Sequence, residues 1–338
     1  MKAMREKEQS MIRDRISSYK ELERLTDSVV LVYFTGDRPG FQTQMGQDVY
    51  DMFVDHLEAI GKVKRISLYL YSRGGDTNTA WSLCNLIRSY CDEFVVIIPS
   101  RAHSAATLLS LGADRIYMTK QATLSPIDPS VNTHLNPIDA SNKEQMSISV
   151  ESIKGFIQLA KEELGIIGSE ESAEVLKVLV KEIHPLVLGD VFRARSHIRM
   201  LARKLLEIHF KGNTEAIEKI TNFLCSDSWN HNYTINRKEA QVSLGLNIVK
   251  PNDELYSIIK TIYDDISVEM ELRKHFNPAE ILGNDEQAFY ESKRAILESL
   301  TFGQYTFLTK GRIAKVVLDD GKRIQIQENR FFENWVRS

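Results

Sequence analysis

Cysteine is scarce in this chain. Only Cys84, Cys91 and Cys225 occur; the number is odd and no CxxC pair is present, which argues against a disulfide framework and against structural zinc. Cys84 and Cys91 fall in an apolar, helix-like stretch and read as buried thiols rather than ligands. That pattern suits a reducing compartment. No run of about 18 apolar residues occurs, so no membrane span is expected. Met1 to Arg15 is rich in Lys, Arg and Glu with no apolar segment behind it, which is not a secretory signal. The expected location is cytoplasmic. The formal net charge of −3 provides no basic field for nucleic acid. No HExxH or similar spacing appears, and neither metal nor cofactor is expected.

What is present is an ordinary globular composition, 43% apolar and 26% charged over 338 residues, enough for one large core or two modest domains. Four short apolar, β-branched runs read as buried strands: Ser28 to Phe34, Arg65 to Tyr71, Glu93 to Pro99 and Asp114 to Met118. Between them lie helical patterns at Asp48 to Ile60, Thr79 to Tyr90 and Ala102 to Leu111. The alternation predicts parallel pairing and an α/β class, with sites at the C-terminal strand ends. From Val150 to Phe210 the pattern is helical, and Asp253 to Phe276 is helical again. Thr306 to Gln327 alternates around Asp319-Asp320-Gly321-Lys322, the signal of a β-hairpin. Arg193, Arg195, Arg199 and Arg203 recur at helical spacing and read as a solvated or subunit-facing surface. His184 and His197, in the same Arg-rich region, read as structural.

Two segments carry candidate chemistry. Ser72-Arg73-Gly74-Gly75-Asp76 follows the second strand, and a Gly-Gly pair turns its N–H groups outward without side-chain obstruction. Such donors stabilise the oxyanion of acyl transfer, about 2.7–4 kcal/mol each; the plainer reading is a tight turn. Pro99 to Thr107 (PSRAHSAAT) places Ser104 at a strand-to-helix junction among small residues, where a helix N-terminus favours negative charge. Its plainer reading is a helix cap.

Taken together, the strand, SRGG loop, helix, VVIIPSRAHSAATLLSLGADRIYM and LSPIDPS resemble the Clp-fold serine peptidases. That group includes the Clp proteolytic subunit and the signal peptide peptidase SppA. AHSAAT, LSPIDPS, IHPLVLGDVFRARSHIRMLARKLL and HNYTINRKEAQVSLGL are similar to the serine dehydrogenase proteinase (SDH-type) branch. The resemblance covers roughly residues 25 to 250. It implies a Clp/crotonase-like spiral ββα core over 1–250 with an N-terminal helix; a helical extension over 251–300 and a small β-rich appendage over 301–338 complete the expected layout. It also implies a homo-oligomer acting on polypeptides. By the same resemblance Ser104 is the nucleophile, and Gly74 or Gly75 with Ala105 form the oxyanion hole.

The general base departs from the Clp pattern. Asp128 takes the place of the Clp histidine, and the third triad position falls near Asn232. SppA-like relatives use a lysine, whose pKa burial lowers enough to make it a base. Lys143, 39 residues after Ser104, has the separation the resemblance implies. Lys154, His231 and His103 are further candidates, with His103 expected to shape the pocket. Two other readings stay open: a crotonase-type acyl-CoA enzyme on the same fold, and a catalytically silent scaffold.

Overall fold

In this computed structural model the described residues are 15–127, 130–131, 133–139, 141, 145–146, 148–227, 233–317 and 324–337. The chain forms two compact units, one from residues 1–124 with 236–338 and the other from residues 125–235.

The first unit opens with helix α1 (15–26). It then runs β1 (Val29–Thr35), α2 (Tyr50–Ile60), β2 (Val63–Tyr71), α3 (Thr77–Ser89), β3 (Cys91–Ile98), β4 (Arg101–Ala102), α4 (Ala105–Leu111), β5 (Arg115–Met118) and β6 (Thr123–Leu124). Each long strand is followed by a short outlying β segment and a helix. The Ser72 bridge to Ala102 succeeds β2, and β4, paired with β6, succeeds β3. This is the ββα repeat of the spiral fold. Strands β1, β2, β3 and β5 pair in parallel. They read as unbroken apolar runs because helices cover both faces of such a sheet; Leu31, Val32, Tyr33 and Phe34 of β1 are all fully buried. At about 1.5–3 kcal/mol for each large apolar side chain, these strands supply much of the core.

The second unit contains β7 (Ser130–Val131), β8 (Ile148–Ser149), α5 (Val150–Gln158), α6 (Ser169–Glu182), α7 (Pro185–Glu207) and α8 (Thr214–Asn222). Its own small core gathers Ile148, Ile153, Leu179, Val187 and Val191. Within this unit Arg199 and Arg203 of α7 form ion pairs with Glu218 of α8. The Arg-rich helix is therefore tied partly to its neighbour. His184 is structural: its Nδ1 caps α7 by accepting from the Leu186 N–H at 3.2 Å.

After β9 (Ile235–Asn236) at the junction, β10 (Ile248–Val249) joins β5 in parallel, and α9 (Asp253–Glu269) and α10 (Pro278–Leu282) follow. The final strands are β11 (Gln287–Ser299), β12 (Gly303–Val317) and β13 (Ile324–Arg337). Here the structure departs from the helical extension expected over 251–300. Helix α9 stops at Glu269, before Glu271 at φ 51°, and residues 287–299 are a strand. Its second half, Ala295 to Ser299, is buried throughout because it lies antiparallel against β1. Nor do the boundaries at 250 and 300 coincide with the two compact units. The C-terminal strands extend the main sheet, giving the order β10-β5-β3-β2-β1-β11-β12-β13. The hairpin signal at Asp319–Lys322 lies outside the described residues; the strands either side pair antiparallel. Arg15 of α1 reaches Asp265 and Glu269 of α9 and Glu298 of β11, anchoring the first helix to this seam.

The same seam holds a buried histidine. His56 of α2 has no exposed surface; its Nδ1 lies 2.7 Å from Ser299 Oγ and its ring packs on Phe302. Burial lowers its pKa from 6.5 to about 4, with Arg337 adding to the lowering and Asp55 opposing it. The unfolded chain therefore binds this proton at higher pH than the folded one. Stability from this group is complete above about pH 6.5 and declines towards pH 4, by up to about 3 kcal/mol. Urea titrations between pH 4.5 and 7 should show that decline in the wild type and a flatter profile in His56→Leu.

Candidate active site

Strand β2 ends at Tyr71, and the next residues leave the sheet to meet the segment that follows β3. The Ser72 N–H donates to the Arg101 carbonyl at 3.1 Å, and the His103 N–H donates to the Ser72 carbonyl at 2.9 Å. These bonds stitch the Gly-Gly loop to the turn that carries Ser104. The loop is also held from within. Thr35 Oγ1 donates to Ser72 Oγ at 2.8 Å, and Ser72 Oγ accepts the Gly74 N–H at 3.0 Å. On its other side the Met45 N–H donates to the Gly74 carbonyl, and the Asp76 N–H donates to the Met45 carbonyl. Sequence reasoning missed Met45 and Thr35, which lie far from the glycine pair in the chain, and gave Ser72, its close neighbour in sequence, no role of its own.

Both glycines are required by the geometry. Gly74 has φ 105°, and a Cβ on it would stand 2.7 Å from Ser104 Cβ, 2.8 Å from the His103 carbonyl oxygen and 3.1 Å from the Ala105 nitrogen. Gly75 has φ 144°, and its Cβ would fall 2.2 Å from the Met45 carbonyl oxygen. The two segments singled out in the sequence thus touch through the one residue type that permits it.

Ser104 sits at φ 52°, ψ −116°, a conformation L-residues rarely adopt, and it makes no side-chain cap to α4. The capping reading therefore does not describe it. Strain of this kind costs about 1–3 kcal/mol and persists where surroundings over-determine it. Among the described residues the N–H groups of Gly75 and Ala105 have no hydrogen-bond partner, whereas the Gly74 N–H is taken by Ser72. Of the glycine pair, Gly75 carries the open donor.

His103 points elsewhere: its Nε2 lies 2.8 Å from Thr123 Oγ1. Arg101 pairs with buried Asp37, which also accepts the Tyr71 hydroxyl at 2.7 Å. Burial, reinforced by the Asp37 charge, pushes the Tyr71 phenol far above its usual range. Asp128, Lys143, His231 and Asn232 lie outside the described residues. Lys154 is on α5 in the second unit. The three cysteines are buried, and burial pushes the Cys84 thiol up to about 12, far from reactive. Among the described residues no cluster of three or more His, Cys, Asp or Glu side chains is placed to hold a metal. No helix among them is long and apolar enough to cross a membrane.

No known protein-family model matches the chain. Two uncharacterized proteins of Methanocaldococcus jannaschii are similar in sequence. MJ0137 is 24% identical over 206 residues, 60% of this chain, and MJ1495 is 26% identical over 131 residues, 36% of this chain. The chain spans 60% and 44% of the length of these two relatives. Among solved structures, a mutant of the 1510-N membrane-bound stomatin-specific protease aligns with TM-score 0.38 and 12% identity, over 66% of this chain and 79% of that one. ClpP1 from Listeria monocytogenes aligns with TM-score 0.36 and 14% identity, over 69% of this chain and 98% of that one. The fold assignment rests on the chain's own strand order, which is the α/β spiral of ββα units.

Proposed function

We propose that the protein is a serine hydrolase that cleaves peptide bonds, with Ser104 as nucleophile. The observation that carries this reading is the contact of Gly74 with Ser104 and Ala105, at a serine held in a strained turn and not used as a cap. Ser104 Oγ attacks the scissile carbonyl while a base takes its proton. The N–H groups of Gly75 and Ala105 receive the oxyanion. The tetrahedral adduct collapses to an acyl-enzyme, the amine leaves with the proton returned by the base, and water then hydrolyses the ester. In this reading Lys143 is the base, the substrate is a polypeptide, the working form is a homo-oligomer, and the setting is the cytoplasm, where thiols stay reduced.

A fluorophosphonate probe tests the nucleophile directly. Labelling at Ser104, mapped by mass spectrometry, with cleavage of casein is the expected result. Tight CoA binding without labelling would sink the peptidase reading in favour of acyl-CoA chemistry. For the base, Lys143→Ala should slow peptide hydrolysis by about 10²–10⁴-fold, the usual size of general-base catalysis. Lys143→Arg should not rescue it, since guanidinium does not give up its proton at usable pH. Rescue by arginine would show a merely structural cation at that position.

A further inference from the structure

The loop that leaves β1 reaches Met45, the residue that clamps the Gly-Gly pair. Met45 donates its N–H to the Gly74 carbonyl at 2.8 Å and accepts the Asp76 N–H at 2.9 Å. The Gly74 carbonyl and the Gly75 N–H belong to one planar trans peptide and point opposite ways. The bond from Met45 therefore aims the Gly75 N–H, the open donor for the oxyanion. Whatever fixes residues 42–45 fixes that donor.

We infer that Arg294, in the C-terminal strands, is a positioning residue that sets the Gly75 N–H through this loop, an inference that rests on the serine-hydrolase reading above. Arg294 is the extra residue of a bulge. Lys293 faces Leu308 on β12 and Ala295 faces the adjacent Phe307, which leaves Arg294 outside that ladder. Bulges re-aim side chains and are common beside active sites. Here the guanidinium turns to the loop: its Nη2 donates to the Gln42 carbonyl, and it stands 4.5 Å from the centre of the Phe41 ring. The Arg294 carbonyl meanwhile accepts the Gly36 N–H at 2.8 Å. One residue thus grips the loop where it begins and again just before Met45. The Thr43 N–H closes the span on the Gly36 carbonyl at 2.8 Å.

The grip is itself held. Nη1 pairs with Glu333 of β13 at 2.6 Å and lies 3.3 Å from Thr309 Oγ1 of β12, and the side chain is only 12% exposed. Two arms of a rigid fork reach different partners, a geometry that the single ammonium of lysine does not reproduce. The first half of the loop has other anchors. Arg38 Nε donates to the Lys274 carbonyl, and the Phe276 N–H donates to the Pro39 carbonyl, each at 2.9 Å. Loss of the Arg294 side chain therefore loosens residues 42–45 and leaves the start of the loop in place.

Hydrogen exchange and kinetics test this on the full chain. In Arg294→Met, peptides covering 42–46 and 74–78 should exchange about tenfold faster than in the wild type, while those covering β2 and β3 stay unchanged. Fluorophosphonate should still label Ser104 to completion, but about 10–100-fold more slowly, the cost of a displaced oxyanion donor. Casein hydrolysis per labelled serine should lose kcat by the same factor with KM within about twofold of the wild type, the split expected when only a transition-state interaction is weakened. Arg294→Lys keeps the charge beside Glu333 and should fall between the two; it also supplies the test should Arg294→Met not fold. Unchanged exchange at both segments, exchange raised evenly across the unit, or a rise in KM in place of the loss in kcat overturns the assignment, as does loosened exchange with wild-type labelling. A wild type inert to fluorophosphonate would instead overturn the hydrolase reading, and the exchange pattern would still decide whether Arg294 governs the glycine loop.

Discussion

Ser104→Ala should abolish fluorophosphonate labelling and lower peptide hydrolysis by at least about 10³-fold, as removal of a serine nucleophile does elsewhere. The more telling companion is Ser104→Gly. The native residue sits at φ 52°, ψ −116°, which an L side chain tolerates only with strain and glycine adopts freely. Alanine keeps that strain, and glycine removes it. The expected result is that both variants are inactive, while Ser104→Gly is more stable than Ser104→Ala by about 1 kcal/mol in urea titrations. The comparison with the wild type separates this from a helix cap: a capping serine replaced by glycine would leave the chain slightly less stable than the wild type, whereas relief of strain makes Ser104→Gly at least as stable as the wild type. Equal stability of the two variants, with hydrolysis retained, would remove Ser104 from the chemistry.

The second large effect concerns Gly74. Its replacement by alanine brings a Cβ to 2.7 Å from Ser104 Cβ and 2.8 Å from the His103 carbonyl. The second of these is backbone, held by the His103 N–H bond to Ser72, so neither partner yields cheaply. Overpacking and positive-φ strain each cost about 1–3 kcal/mol, which together predict a loss of about 3 kcal/mol or more. Activity should fall further than stability does, because the clash displaces the serine itself. Comparing probe labelling at a temperature where Gly74→Ala remains folded separates the two effects. Wild-type labelling in a folded Gly74→Ala chain would mean that the two loops do not meet in solution.

The parallel strands were readable in the sequence because a strand covered on both faces has no polar positions to blur it: SVVLVYF and EFVVIIP could hardly be anything else. Strand β11 was hidden for the opposite reason. Its first half alternates between exposed and half-buried residues, and Ser292-Lys293-Arg294 interrupts the pattern, so the region did not read as a strand. Its partner β1 lies far away in sequence, and no local signal encodes that pairing. At the site, the glycine pair and the serine turn were each visible, but their contact was not. The odd backbone of Ser104 leaves no trace in its own residue type, which is why the capping reading was natural. What makes the turn possible is written instead in Gly74, thirty residues earlier, and in the hydroxyls of Thr35 and Ser72.

Leu31 pairs with Ser299, and Leu31 to Phe34 of β1 lie between β2 and β11. During synthesis the first strand can acquire its parallel neighbour early, yet its opposite edge stays unsatisfied until nearly 300 residues have left the ribosome. Such distant closure slows folding, and for that interval a flat, apolar edge is open to pairing with another nascent chain. Successful production of this protein thus depends on protecting an early strand while it waits for a late one.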